Sequence, residues 1–394
     1  MSLLTDASSE MIYPLLPSFL SGVLKAGPAF LGLVEGAAEA LASLLKVMAG
    51  WLSDRFPRRK PFVVFGYSIS TFARPLVAVA TSPLHVLFVR LADRLGKGMR
   101  GAPRDAIIAA VTPEADRGRA FGFHRAMDHA GATVGPLLAS AALLAGFDLR
   151  TVFGLALVPG LLALLVLVFG VQEDGPGAPP VLAPAPVVLG ATDSCSASGA
   201  PGDTVASRKL HRYLGVLALF ALGNSSDAFL LLRAQEVGIA VALIPLLWTF
   251  HHLVKAGFST FGGQLSDRIG RRRTIVFGWA VYAVAYLGFA GARNALAVVA
   301  LFALYGLFHA LTEGPEKAFV ADLAPLAARG RAFGLYHAVT GIMILPGNLL
   351  TGLLWQRFGA AAALTIGAVL AAVSAALLLS VVRERHLTGS ESGD

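Results

Sequence analysis

The sequence predicts an all-α membrane protein: twelve transmembrane helices in two pseudo-symmetric six-helix bundles. Three observations carry this. The 394 residues are 56% hydrophobic and only 14% charged, with a mean hydropathy of +0.69, a balance found in polytopic membrane proteins. Apolar runs long enough to cross a hydrocarbon core recur along the whole chain. The third observation is a duplication. Gly50-Trp51-Leu52-Ser53-Asp54-Arg55-Phe56-Pro57-Arg58-Arg59 returns as Gly263-Gln264-Leu265-Ser266-Asp267-Arg268-Ile269-Gly270-Arg271-Arg272, with its two aspartates 213 residues apart. Each copy ends one apolar segment and opens the next. A duplicated bundle with one charged turn per half is a transporter plan.

Taken in order, the first bundle occupies 1–171, with spans at 9–26, 29–52, 61–81, 83–111, 118–146 and 149–171. No basic region precedes the first run, and Glu10 interrupts it early, so no cleavable signal peptide is expected. Residues 172–210 are rich in Pro, Gly, Ala and Ser and read as a flexible cytoplasmic linker. The second bundle occupies 211–382, with spans at 211–235, 238–264, 273–292, 295–323, 332–357 and 359–382, and 383–394 form a cytoplasmic tail. The single Cys195 excludes an intramolecular disulfide and a cysteine metal site.

Charge is distributed unevenly. The loops after helices 2, 4, 6, 8 and 10 carry most of the arginines, whereas the opposite loops hold little beyond Lys25, Arg150, Arg293 and Arg357. The positive-inside bias therefore puts both termini and the linker in the cytoplasm, with the chain in the cell (inner) membrane. The net charge of +8 is mostly topology. Each basic run sits between two spans, so no nucleic-acid partner is expected.

The repeat extends beyond the turn. Gly118-Arg119-Ala120-Phe121-Gly122 opens helix 5 and Gly330-Arg331-Ala332-Phe333-Gly334 opens helix 11; Pro103 matches Pro315; Ser8-Ser9-Glu10 resembles Ser225-Ser226-Asp227. The turn motif, Arg90 with Gly96 and Gly98 in helix 4, and Gly131-x-x-x-Gly135-Pro136 in helix 5 make the chain resemble the major facilitator superfamily over its full length. The copy at 263–272 fits the superfamily motif fully; the copy at 50–59 has Pro57 where Gly is usual. The helix 5 match, common in proton-coupled exporters, is partial, because Leu138-Ala139 replaces a small-residue pair. The resemblance implies that helices 1, 4, 7 and 10 line a substrate cavity. It also implies a conformational latch. Asp54, with Arg55, Arg58 and Arg59, meets the N-terminus of helix 11 at Gly330. Asp267, with Arg268, Arg271 and Arg272, meets helix 5 at Gly118. A carboxylate is favoured by the dipole and free N–H groups at a helix start.

Ionisable side chains inside spans are costly and face a bundle interior or an aqueous cavity. Arg90, Asp93, Lys97, Arg100 and Arg104 recur at three- and four-residue steps on one face of helix 4. Arg94 and Asp105 lie beside that face, and the helix carries an excess of three positive charges. His309, Glu313 and Glu316 share a face of helix 10 with Tyr305 and Thr312. These two faces are the expected cavity walls. The repeat pairs Arg104-Asp105 with Glu316-Lys317, so Arg104 and Glu316 are candidates for a reciprocal ion pair between halves.

Glu10 and Asp227, at matching positions of helices 1 and 7, are the first candidates for carrying a coupling proton; Glu35, Glu39 and Asp128 follow. The spacings Glu35-x-x-x-Glu39 and His309-x-x-x-Glu313, with His251-His252, leave divalent metal export as an alternative. No resident metal or cofactor is expected. A non-transporting sensor with the same fold would need an output module that the short linker and tail do not offer. No nucleophile-and-base constellation or nucleotide loop appears, so no enzyme is expected. The reading is a monomeric secondary active transporter of a small charged organic solute, an anion or zwitterion, exported by alternating access against inward proton flow.

Overall fold

The computed structural model describes residues 1–53, 60–113, 116–171, 201–325 and 328–381. The turn residues Asp54, Arg55, Arg58 and Arg59, Cys195 and the tail lie outside the described residues. Among the described residues twelve helices, α1 to α12, follow one another in the expected order.

The first helix, α1, starts at Ser2 and covers residues 2–23. Its regular part, Ser2–Ile12, gives way to a 3₁₀ turn at Tyr13–Leu15, one α-turn at Leu16–Ser18 and a π-turn at Phe19–Val23. Pro14 and Pro17 lack the N–H groups that a continuous ladder needs, which accounts for the irregularity. After it come α2 (Pro28–Ser53) and α3 (Lys60–Ala73), the latter tightening into a 3₁₀ turn at Arg74–Val79 where Pro75 intervenes. The bundle is completed by α4 (Pro83–Val111), α5 (Arg117–Leu144) and α6 (Leu149–Gly170). Asp148 caps α6. It accepts bonds from the Thr151 hydroxyl and amide, which hold its carboxyl below the usual carboxylate range.

In the second half α7 begins at Pro201, ten residues before the expected span. It is broken between Pro201–Gly223 and Asp227–Glu236. The Ser226 hydroxyl caps the second piece by accepting from the Ala228 amide at 3.3 Å, and Asp227 lies in its first turn. The remaining helices are α8 (Val241–Ile269), α9 (Arg271–Gly291) and α10 (Ala295–Leu323), then α11 and α12, which divide residues 329–381 at Gly359. Gly359 has φ 86° and Gly270, between α8 and α9, has φ 96°. Both conformations favour glycine, which accounts for Gly270 in the turn motif.

Among the described residues, eight stretches are long and apolar enough to cross a membrane by length and composition, and one of them covers both α11 and α12. The three helices outside that set are α1, which is irregular beyond Ile12, and α4 and α5, each of which carries more than two charged residues. The packing repeats between halves. Within the first bundle α1 meets α5, α3 meets α4, and α2 meets α4; α7–α11, α9–α10 and α8–α10 reproduce this in the second. The halves join through α2 against α11 and α5 against α8, which the same symmetry relates. Glycines allow the close approaches. A Cβ on Gly36 would stand 3.0 Å from Leu345 Cα, and one on Gly352 would stand 2.6 Å from the Pro28 carbonyl oxygen. Large apolar side chains such as Phe88, Phe169 and Leu296 lie exposed on outer faces, as a lipid-facing surface requires.

Candidate functional site

The charge stripe of α4 is the centre of the site. Arg90 donates to Glu35 of α2 at 2.8 Å and lies 3.9 Å from Asp93. Asp93 accepts from Arg74 at 2.8 Å, and Arg74 also donates to the Thr5 carbonyl of α1 at 3.0 Å. The side chains of Arg74, Arg90, Asp93 and Glu35 are all at most 7% exposed. One connected ion network thus ties α1, α2, α3 and α4 together, and every charge in it has an opposite partner, as burial demands. Beside it Arg94 meets Glu39 at 2.8 Å. Arg74 is absent from the expected set. It is an arginine in mid-span, and the helix break at Pro75 turns it inward; its position inside an apolar run was the available signal.

The rest of the stripe divides. Lys97 is exposed and lies in electrostatic reach of Asp6 and Glu39. Arg100 stacks over Tyr67 of α3 at 4.3 Å, and Arg104 donates twice to Asp105 at 3.0 Å. A cavity of about 10 Å³, room for roughly one water, lies beside Ser9, Arg74, Arg90 and Asp93.

In the second half, Tyr305 donates to Asp227 at 2.5 Å. Glu313 is gripped by Lys255 at 2.5 Å and by His309 at 3.3 Å. His251 is stacked between Trp248 and Tyr305, with ring centroids 5.2 Å away on each side, and its Nδ1 lies 3.3 Å from the Phe302 carbonyl. Glu316 accepts from Trp279 of α9 and Tyr336 of α11, inside the second bundle. Arg104 and Glu316 therefore each have partners in their own half, and the structure does not bring them together. Asp128 accepts from Ser2 and lies 3.4 Å from His124. Among the described residues no group of three His, Cys, Asp or Glu is placed to hold a metal ion.

Direct bonds cross between halves at one end and at mid-depth. The Trp248 indole donates to Glu10 at 2.9 Å, and the Tyr13 and Ser226 hydroxyls are 3.3 Å apart. Ser226 also reaches Glu35 at 3.5 Å, and Ser140 donates to the Ala242 carbonyl at 2.5 Å. These contacts cluster toward the end that carries the α1–α2 and α7–α8 loops. Trp248, like Arg74, was missed by reasoning from charge alone. At the other end Asp267 pairs with Arg271 at 2.5 Å, and Arg271 stands 3.6 Å from Asp322 of α10. Arg272 donates to the Leu379 carbonyl, while Arg268 and Gly330 are exposed. Gly118 lies in the first turn of α5.

The Major Facilitator Superfamily profile matches residues 1–232 and again 213–393, once for each bundle. The chain belongs to the major facilitator superfamily. It is therefore a transporter, not an enzyme. An uncharacterized MFS-type transporter of Methanocaldococcus jannaschii is 35% identical over 96% of this chain and 92% of its own length. A class G tetracycline resistance protein of Vibrio anguillarum is 29% identical over 68% of this chain and 67% of its own. Among solved structures, the nucleoside transporter NupG has a TM-score of 0.78 at 14% identity, covering 98% of both chains. The inward-facing, occupied bacterial homologue of the lysosomal transporter Spinster has a TM-score of 0.75 at 16% identity, covering 96% of this chain and 94% of that one. At these identities the structural likenesses establish the superfamily fold alone.

Proposed function

We propose that this superfamily member is a monomeric, proton-coupled exporter of a small charged organic solute. It resides in the cell (inner) membrane with both termini cytoplasmic and works by alternating access. The observation that carries the reading is the pair of unlike ends. Among the described residues, hydrogen bonds join the halves toward one end and at mid-helix, while Lys97 and Glu313 stand exposed within α4 and α10. A charged side chain in a span faces water rather than lipid, so these two face an aqueous cleft. The basic loops α2–α3, α4–α5, α8–α9 and α10–α11 put the open end in the cytoplasm.

In this reading Arg90, Asp93, Lys97, Arg100 and Arg104 form one wall with its supporting charges, and His309, Glu313 and Glu316 belong to the other side. Lys97 meets the negative group of the substrate. Arg90 and Asp93 act through the network that holds α4 in place. The cross-half bonds of Glu10, Tyr13 and Ser226 open as the bundles rock. Asp54 with Gly330 and Asp267 with Gly118 form the latch that closes the opposite end, together with the flanking Arg55, Arg58, Arg59, Arg268, Arg271 and Arg272. Glu10 and Asp227, half-buried where the halves meet, are the first coupling carboxyls; Asp128 is a reserve. Glu35 and Glu39 are engaged by Arg90 and Arg94, which favours an organic solute over a metal ion. Export is supported by the tetracycline resistance relative.

The test is transport by purified protein in liposomes, with an imposed pH gradient, across a panel of organic ions and divalent metals. Solute movement driven against the proton gradient supports the reading. Movement of a metal alone, or of nothing despite binding, replaces it with the metal exporter or the sensor.

A further inference from the structure

We propose that Glu316 is a proton-binding carboxyl of the transport cycle, distinct from the acids at the junction of the halves. This rests on the proton-coupled reading above. The first observation is the kind of partner Glu316 has. Asp93, Glu35, Glu39 and Glu313 are each held by Arg or Lys within 2.8 Å. Glu316 is nearly as buried as the first two, at 7% exposure. Yet its Oε1 accepts from the Trp279 indole at 3.2 Å and its Oε2 from the Tyr336 hydroxyl at 3.0 Å. Both donors are neutral. Among the described residues no Lys, Arg or His pairs with it. A desolvated carboxylate without a cation is costly, and a proton removes that cost.

The second observation is a spare hydroxyl. Tyr213 of α7 interacts with both Glu316 and Tyr336, and among the described residues its buried hydroxyl has no hydrogen-bond partner. A protonated Glu316 gains one donor and needs one acceptor, which a tyrosine oxygen supplies. The titratable groups facing the carboxyl are Tyr213 of α7, Tyr336 of α11, and Glu313 and Lys317 of α10 itself. From α9, among the described residues, it meets the indole of Trp279. Glu313, half-exposed one turn along α10, provides the approach from water.

The third observation is the repeat. Arg104 occupies the position of Glu316 in the first bundle, 212 residues earlier, and Tyr67 occupies that of Trp279. The register holds in space: Gly66 abuts Arg100 as Gly278 abuts Thr312. The first bundle thus places a permanently charged guanidinium where the second places an acid between neutral donors. Only one of the two sites can change charge. The step is a simple proton transfer. Water on one side gives a proton to a Glu316 oxygen, the carboxylate becomes a neutral acid, and the same proton leaves to water on the other side after the bundles rock.

The test uses the full chain in lipid and pH-induced difference infrared spectroscopy, which reads the C=O stretch of protonated carboxyls directly. The wild type is expected to show such a band that titrates with pH. Glu316→Gln should lack it, and Tyr336→Phe, which removes a hydrogen bond, should shift its frequency. Glu316→Asp keeps a carboxyl and should retain a displaced band, so the site stays testable if the glutamine variant fails to fold. In liposomes, Glu316→Gln should lose at least tenfold in substrate-driven proton movement. An identical difference band in wild type and Glu316→Gln, or undiminished proton movement in the variant, overturns the proposal. The infrared result stands even if no solute is transported, so failure of the site and failure of the transport reading are separable.

Discussion

Replacing Arg90 by leucine is expected to be among the most destabilising single changes in the first bundle. The guanidinium lies 2.8 Å from Glu35 and 3.9 Å from Asp93, with side-chain exposures of 7% for Arg90 and 2% for Glu35. Asp93 keeps Arg74 at 2.8 Å when Arg90 is removed. Among the described residues Glu35 then keeps the Ser226 hydroxyl at 3.5 Å as its one hydrogen-bond donor, with Arg94 the cation left in electrostatic reach. An ionised carboxylate is then left buried and almost bare, and breaking such a pair from one side costs about 3–5 kcal/mol. At roughly 1.4 kcal/mol per decade, the unfolding equilibrium moves by about two to four decades. The assay is equilibrium unfolding in mixed micelles with increasing sodium dodecyl sulfate, followed by far-ultraviolet circular dichroism. The double variant Arg90→Leu with Glu35→Gln removes the orphaned charge and should recover most of the loss, because a neutral pair no longer carries the desolvation penalty. The reasoning is refuted if Arg90→Leu unfolds with the wild type, or if the double variant is no more stable than the single one.

Trp248→Phe deletes the bond to Glu10 that joins the halves. A hydrogen bond to a charged group contributes about 1.5–3 kcal/mol, so the equilibrium should move roughly ten- to hundredfold toward opening of that end. Spin labels on the exposed positions Phe147 and Leu243 would report a longer distance, and an unchanged distribution would remove the bond from the gate. Gly262→Ala should cost about 1–3 kcal/mol, since the new methyl would overlap the Ala310 carbonyl of α10. Gly257→Ala, with open space around it, should be neutral or stabilising in the same unfolding assay. Under the proposed latch, Asp54→Asn should insert and fold yet transport almost nothing, because losing about 0.3–2 kcal/mol of charge–dipole stabilisation would shift the balance of conformations severalfold or more. Normal rates would show that the turn sets topology only.

The helix order and the two-fold repeat were legible because hydropathy and duplicated turns are local in sequence. The stripe of α4 was legible for the same reason: residues at three- and four-residue steps share a face whatever they meet. Partners were not legible. Arg90 and Glu35 are 55 residues apart, and Arg74 meets Asp93 from the start of the 3₁₀ turn at Arg74–Val79. Arg104 and Glu316 occupy equivalent repeat positions, which invites pairing across the axis. Each helix instead turns that position toward its own bundle, so Tyr67 and Asp105 accompany one and Trp279 and Tyr336 the other. The early start of α7 and its break at Ser226 are not legible, because Gly199-Ala200-Pro201-Gly202 reads as linker and a serine pair is a weak breaker.

The central claim is coupled movement of a charged organic solute, and the direct measurement is solute flux in liposomes of purified protein under an imposed pH gradient. At least one organic anion or zwitterion should move opposite to the proton flow and against its own gradient. That movement should collapse when the pH gradient is dissipated. The claim is contradicted if flux of every bound solute is indifferent to the pH gradient, or if solute and proton move in the same direction.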